Sequence, residues 1–509
     1  MSEINKVNNL AKKIKILVVG DSPACATGFG NVIHGIFKPL VETGRYEVDI
    51  FGINDRGGWK DSKEYPYRIW PAMLPGIQDD VYGRARFINI LRGGNREVRP
   101  SWDIVFTLND PFIFEAPMMV FNKGLMEMIR HIYDLYREKA KPDMWFKTVS
   151  YWPVDSSIKE NWVEKAIGLS DYSVAYTKYG KREIEKSNNK CNKPSDKLID
   201  VIYHGSDVKS YFPAPKEEVE NFKKQFFKDA IQPSTFIVGC VARNQMRKDL
   251  PRVMKIFREF QKRRPDSFLY IHAQETDVWG SLIEYARNFN LEHGKDWTFP
   301  GGFDPNIGYP RKTLNLIYNM MDVQLYTSLG EGWCLPLVEA MSAKTLNLAP
   351  NITSIPEIFD TEGDDMEDLT KIGISQNIRG IPLKSGFTSS EWATYGPDDY
   401  ERLRPLTNVD DAVKKLVWIY DNQDKVQGIV DRAYNWVQQF SWDKIAHEWD
   451  NYFQKVYNGL LVERKQGEEL ILKRLQEQVK EKLGEKSKEK NGSSQESNPA
   501  EAKPGEVKK

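Results

Sequence analysis

Six apolar, strand-like runs up to residue 205, each followed by a stretch of helical character, leave this chain few folds to choose from: IKILVVG (14–20), YEVDIFGIN (46–54), WDIVFTLND (102–110), MWFKTVSYW (144–152), YSVAYT (172–177) and KLIDVIYHG (197–205). Alternation of this kind argues for a doubly wound α/β fold with a mostly parallel sheet. A looser stretch, SDVKSYFPAPKEE (206–218), interrupts it. The pattern then restarts with TFIVGCVARN (235–244), SFLYIHAQ (267–274), DWTFPGG (296–302), MDVQLYTS (321–328) and TLNLAP (345–350). Two Rossmann-like domains facing a central cleft are the simplest architecture, with expected spans of 1–208 and 209–435.

Beyond residue 430 an aromatic-rich helical stretch, RAYNWVQQFSWDKIAHEWDNYFQKVY, breaks near Phe440–Ser441. The charged RKQGEELILKRLQEQVKEKLGEKSKEK that follows reads as a solvated helix. The closing KNGSSQESNPAEAKPGEVKK has almost no apolar residues and is expected to be disordered. The expected boundaries here are 436–460 and 461–509.

The 509 residues include 72 basic and 72 acidic ones, so overall charge gives no support for a nucleic acid or an anionic membrane as partner. The N-terminal MSEINKVNNLAKK lacks an apolar core, and no later run has the length to span a bilayer. A cytoplasmic protein is expected. Cys25, Cys191, Cys240 and Cys334 are scattered without ligand-like spacing, which fits reduced thiols and neither a disulfide frame nor a zinc site.

Chemistry concentrates at the ends of the strand-like runs. LGEGWCLPLVEAM (329–341) puts Glu331 in a strand-to-helix loop and Glu339 in the first helical turn, since Pro336 suits a helix start. Carboxylates at the carboxyl end of a parallel sheet are suited to accepting hydrogen bonds from the hydroxyls of a sugar or ribose. GDSPACATGFGNVIHGIF follows the first strand, and its Gly28 and Gly30 precede a helix whose N-terminus favours phosphate. Ile33 stands where the third glycine of a dinucleotide fingerprint would be. In VARNQMRKDLPRVMKIF, Arg243 at a strand end and Lys248 five residues later are a pair suited to a diphosphate.

These segments, with the FPGG turn and the run IYNMMDVQLYTSLGEGWCLPLVEAMSAKTLNLAPNITSIPEIF, together resemble retaining GT-B glycosyltransferases of family 4 over roughly residues 14–455. VIYHGSDVKSYFP and FSWDKIAHEW resemble the family's linker and its closing helix, which crosses back to the first domain. The resemblance implies that Glu331 contacts donor-sugar hydroxyls and that Glu339 holds the nucleotide ribose. Gly332, Trp333, Cys334 and Leu335 would offer backbone amides to sugar and phosphate, and Arg243 and Lys248 would neutralise the leaving diphosphate. Pro300 and Gly301 would border the nucleobase, with Gly28 and Gly30 facing them from the first domain. Cys334 replaces a glycine of the family, and its side chain is expected to narrow the sugar pocket.

On the acceptor side, SYWPVDSS makes Asp155 the carboxylate chosen to orient or deprotonate an acceptor hydroxyl, with helix capping as its other reading. His34 and His204 are weaker candidates, better read as packing or hinge residues. The expected function is metal-independent transfer of a hexose-type unit from a nucleoside diphosphate sugar, UDP or GDP unresolved, with retention and without a cofactor. DDMED (364–368) reads as a surface loop. The acceptor is expected to be a carbohydrate or glycolipid. Aromatic and basic residues interleave over 56–102, so hydroxymethylated DNA is the alternative acceptor. A non-catalytic nucleotide-sugar-binding protein is the alternative of another class.

Overall fold

The structure, a computed structural model, describes residues 12–73, 82–92, 102–118, 122–228, 230–277, 279–302, 308–374, 377–386, 392–394 and 402–492. Strands β1 (Ile14–Asp21), β2 (Tyr46–Ile53), β3 (Arg68–Pro71), β4 (Ile104–Leu108), β5 (Lys147–Trp152), β6 (Tyr172–Ala175) and β7 (Ile199–Val201) form a seven-stranded sheet in the order β3-β2-β1-β4-β5-β6-β7. All its pairs are parallel. A second parallel sheet of six strands takes β8 (Phe236–Val241), β9 (Ser267–His272), β10 (Trp297–Thr298), β11 (Val323–Leu325), β12 (Leu346–Pro350) and β13 (Ile381–Leu383) in the order β10-β9-β8-β11-β12-β13. Every residue of β4, β5, β8 and β9 is buried, because helices cover both sheet faces.

In each sheet the strand order reverses beside the first strand, at β1/β4 and at β8/β11, which opens a crevice at the carboxyl ends. Helix α1 (Gly28–Glu42) leaves the first crevice and α2 (Leu335–Ser342) the second. The two crevices face each other. Trp333, Leu337, Val338 and Met341 from the second domain belong to the same apolar cluster as Val18, Phe37 and Tyr151 from the first.

Helix α3 (Trp442–Gly492) returns to the first domain. Phe453 stacks on Phe37 with ring centroids 5.9 Å apart, Trp449 meets Phe106 edge-on at 5.3 Å, and Asp450 accepts from Tyr46 Oη at 2.5 Å. The docked part runs further than the expected boundary at 460. Arg464 is buried, with Nη1 2.7 Å from Asp103 Oδ1, and a Cβ on Gly467 would come within 2.3 Å of Trp145. The helix that was expected to be solvated from 461 is therefore held for about two turns before it leaves the body. The reason is a pairing 361 positions apart in sequence, which no local pattern signals.

The chain crosses between domains twice at one place. Ser206 N–H donates to the Phe440 carbonyl at 2.7 Å. The Trp442 indole fills the space over Gly35 and Gly205, where an added Cβ would lie 2.2 and 2.4 Å from its ring. Among the described residues no helix is long and apolar enough to cross a membrane.

Candidate functional site

Glu331 is the focus of the cleft. It follows β11 by way of Gly330, whose φ of +153° and closeness to the Asp155 carbonyl, 2.0 Å from where a Cβ would sit, exclude a side chain. Thr353 Oγ1 accepts from Glu331 N–H at 3.0 Å, and Ser354 Oγ donates to its carbonyl at 2.8 Å, so the backbone is fixed. The side chain is 6% exposed. Lys248 Nζ donates to Oε1, and Arg247 Nη1 lies 3.2 Å from Oε2. Burial alone would raise this carboxyl, but the two cations override it and hold the pKa at about 2.

Arg247 is the cation that sequence reasoning missed. A short 3₁₀ turn, Met246–Lys248, aims both Arg247 and Lys248 at Glu331. Arg243 behaves differently. Two-thirds exposed, it lies 3.1 Å from Asp277 through Nε, and its charge also acts on Asp21 at the end of β1 across the cleft.

Asp155 does not stand ready as a base. Its carboxylate meets Arg247 Nε at 3.2 Å, Arg404 Nη2 at 3.2 Å and Arg402 Nη1 at 3.4 Å. Burial works to raise its pKa, yet the three guanidiniums hold it well below the usual carboxylate range. Such a group stays ionised and is a poor proton acceptor. Its three ion pairs tie the first domain to the second, and a carboxylate held this way is less suited to the base role expected of it.

Asp110, at the end of β4, has the opposite character. Burial, reinforced by the nearby Asp155 charge, pushes its pKa up to about 7, with Arg247 and Arg402 opposing. Its signal was present in LND-PF, a strand-terminal carboxylate ahead of a helix-starting Pro111. Close by, Asp21 is raised by burial and accepts from Asn109 Nδ2 at 3.4 Å. The buried Tyr176 hydroxyl has no hydrogen-bond partner among the described residues, and its ring lies 3.4 Å from where a Cβ on Gly332 would be.

Glu339 sits one turn into α2, later than the first-turn place expected for it, and its Oε2 accepts from Tyr318 Oη at 2.6 Å. Burial pushes it up to about 7. It borders a cavity of about 290 Å³ between the domains that is also lined by Leu335, His34, Lys38, Arg311 and Trp442. Gly28 faces Leu335 across the seam, 3.9 Å from a would-be Cβ to Cδ1. Gly30 is needed for a different reason than expected. Its N–H is already given to Thr27 Oγ1 at 3.0 Å, and the Ser22 carbonyl leaves no room for a Cβ. That amide is thus committed to capping α1 and is not available to a phosphate.

Trp333 is buried among Tyr203, Trp436 and Phe440, at centroid distances of 5.3, 6.0 and 6.0 Å. Cys334 adopts a left-handed φ of +69°, at a cost on the order of 1 kcal/mol for a residue with a Cβ. Its thiol is buried in the shared apolar cluster. Gly301 is exposed, with its carbonyl accepting from Tyr309 Oη at 3.1 Å. His204, 2.8 Å from Tyr151 Oη, is pushed down to about 3 by burial, and His34, 2.8 Å from Tyr67 Oη, to about 4 by burial against the pull of Glu64. Both stay neutral at pH 7 and pack. In the 364–368 loop, Glu367 pairs with Lys384 at 2.6 Å.

Two parallel sheets with opposed switch points and a helix crossing back are matched in solved glycosyltransferases. Sucrose-phosphate synthase from Thermosynechococcus elongatus superposes with a TM-score of 0.59 at 13% identity, covering 88% of this chain and 100% of that one. A glycosyltransferase from Rickettsia africae ESF-5 gives 0.56 at 13% identity, over 88% of this chain and 99% of that one. The fold is GT-B. The E. coli trehalose-6-phosphate protein bound with UDP-2-fluoro glucose shares it, with a TM-score of 0.52 at 12% identity over 87% of this chain and 99% of that one. No protein-family model and no curated protein matches the sequence. At such identities the likeness carries the GT-B architecture, and the chemistry rests on the residues of the cleft.

Proposed function

We propose that this protein is a glycosyltransferase that moves a sugar from a nucleoside diphosphate sugar to an acceptor hydroxyl with retention at the anomeric carbon. The observation that carries the reading is the convergence of Lys248 and Arg247 on Glu331 at the carboxyl end of β11, opposite a carboxyl, Asp110, that titrates near neutrality. The bond between the anomeric carbon and the diphosphate oxygen breaks and the acceptor oxygen bonds to that carbon on the face the diphosphate leaves, which keeps the configuration. Lys248, Arg247 and Arg243 stabilise the departing diphosphate, so a metal ion is not needed for that step. Asp110 orients the acceptor hydroxyl and receives its proton. Glu331 holds the donor sugar's hydroxyls and Glu339 the ribose. A GT-B neighbour carrying UDP-2-fluoro glucose supports a donor of this class.

A carbohydrate or glycolipid acceptor suits the 56–102 segment better than DNA does. Lys60 is paired with Asp55 at 3.0 Å, Arg68 with Asp49 at 3.8 Å, and Arg84 donates to the Ala116 carbonyl at 2.9 Å. These three cations are engaged within the protein, whereas Trp59, 88% exposed, offers a face for stacking on a sugar ring. Arg96 and Arg99 lie outside the described residues. The test is nucleotide release from UDP- and GDP-sugars with and without EDTA, followed by NMR of the product's anomeric proton. Retained configuration, insensitivity to EDTA and loss of turnover in Lys248→Ala are expected. Inversion, or activity abolished by EDTA and restored by Mn²⁺, would sink the mechanism.

A further inference from the structure

Beyond Gly467 helix α3 leaves the body and carries a second apolar face that nothing among the described residues covers. The docked face is made by Phe453, Val456, Leu460, Arg464 and Gly467, all buried. At about 100° per residue, Leu461, Leu472, Leu475, Val479 and Leu483 fall on one stripe turned roughly a quarter of the way round from that face. They are 41%, 58%, 53%, 56% and 63% exposed, on a helix whose other exposed positions are mostly charged, Val462 and Leu470 excepted. Positions 461, 465, 468, 472, 475 and 479 alternate steps of four and three, the spacing of a coiled-coil seam. Leu461, Lys465 and Glu468 occupy it nearest the body, and Leu472, Leu475 and Val479 form its apolar stretch.

We infer that this stripe is a self-association surface, and that two copies of the chain pair through antiparallel 468–483 helices. Charge fixes both the occupant and the direction. Past the docked turns, which end at Gly467, the seam begins at the exposed Glu468 and reaches the exposed Lys482 at its far end. A parallel pair sets Glu468 against Glu468 and Lys482 against Lys482. Antiparallel pairing centred on Leu475 brings Glu468 beside Lys482 of the second copy, twice by symmetry, while Leu472, Leu475 and Val479 bury one another between these ends. The stripe is self-complementary in that arrangement alone. The two cleft-bearing bodies then sit at opposite ends of the helix pair, and the cleft residues take no part.

The test is sedimentation equilibrium of the full-length protein from low to high micromolar concentration. The apparent mass is expected to rise from monomer to dimer, and Leu475→Glu with Val479→Glu, both at exposed positions, is expected to abolish the rise with the melting temperature unchanged. Glu468→Lys is expected to weaken the dimer about tenfold, and adding Lys482→Glu to restore it. A monomer at every concentration, or a dimer untouched by the double glutamate variant, overturns the assignment. A charge swap that fails to restore association overturns the antiparallel pairing.

Discussion

Changing Glu331 to Gln separates two jobs that the wild-type carboxylate does at once. It is the internal counter-ion of Lys248 and Arg247, and under the proposed function those same cations serve the donor's diphosphate. A phosphate oxygen on the far side of the Lys248 ammonium lies about 6 Å from Glu331, where two unit charges at an effective dielectric of about 20 repel by roughly 3 kcal/mol. Sharing of the repulsion by the second cation and screening by salt reduce this to about 1–2 kcal/mol, a five- to thirtyfold effect. Glu331→Gln keeps the shape and removes the charge, so the free nucleoside diphosphate is expected to bind tighter by that factor while sugar transfer falls. Isothermal titration with UDP and GDP reads the first effect, and a turnover assay the second. Weaker or unchanged nucleotide binding would refute the view that the carboxylate competes with phosphate for the two cations.

The pH dependence should follow Asp110. With its pKa raised to about 7 it is protonated below that pH, so kcat/KM should climb as pH rises through about 7, and Asp110→Asn should flatten the profile and lower the rate. Above about pH 7, where Glu339 is ionised, Glu339→Ala should weaken nucleoside diphosphate binding by roughly 1.5–3 kcal/mol, the worth of hydrogen bonds to a charged acceptor, as measured by calorimetry. Arg464→Met leaves the buried Asp103 carboxylate without its cation, at a cost of about 3–5 kcal/mol. That should lower the melting temperature by roughly 10 °C in a thermal scan, and a shift near zero would mean that the helix end is not docked.

The sheets were legible because each buried strand is a continuous apolar run, as in IKILVVG and TFIVGCV, and the switch points then follow from parallel topology. Strands β3 and β13 escaped because RIWP and IPL are too short and too proline-bearing to read as strands. In the cleft, Glu331 and Lys248 stood out by their place at strand ends. Arg247 did not, because only the 3₁₀ turn beside it decides whether adjacent basic side chains point to solvent or to Glu331. Asp110 and Asp155 carry the same local signal, a carboxylate closing a strand near a proline. What tells them apart is the trio of arginines, two of which arrive from residues 402 and 404, nearly 250 positions away. Electrostatic character of this kind belongs to the assembled cleft and has no local trace.

The pairing of Ser206 with Phe440, with Trp442 wedged over both glycines, fixes how the two halves can move. Both crossings lie side by side, so the halves are joined along one edge, and a rigid indole blocks sliding at that edge. A swing of the halves about that edge would part Asp155 from Arg247, Arg402 and Arg404 together. Asp155 and its three arginines thus form a latch across the seam, largely shielded from salt by burial.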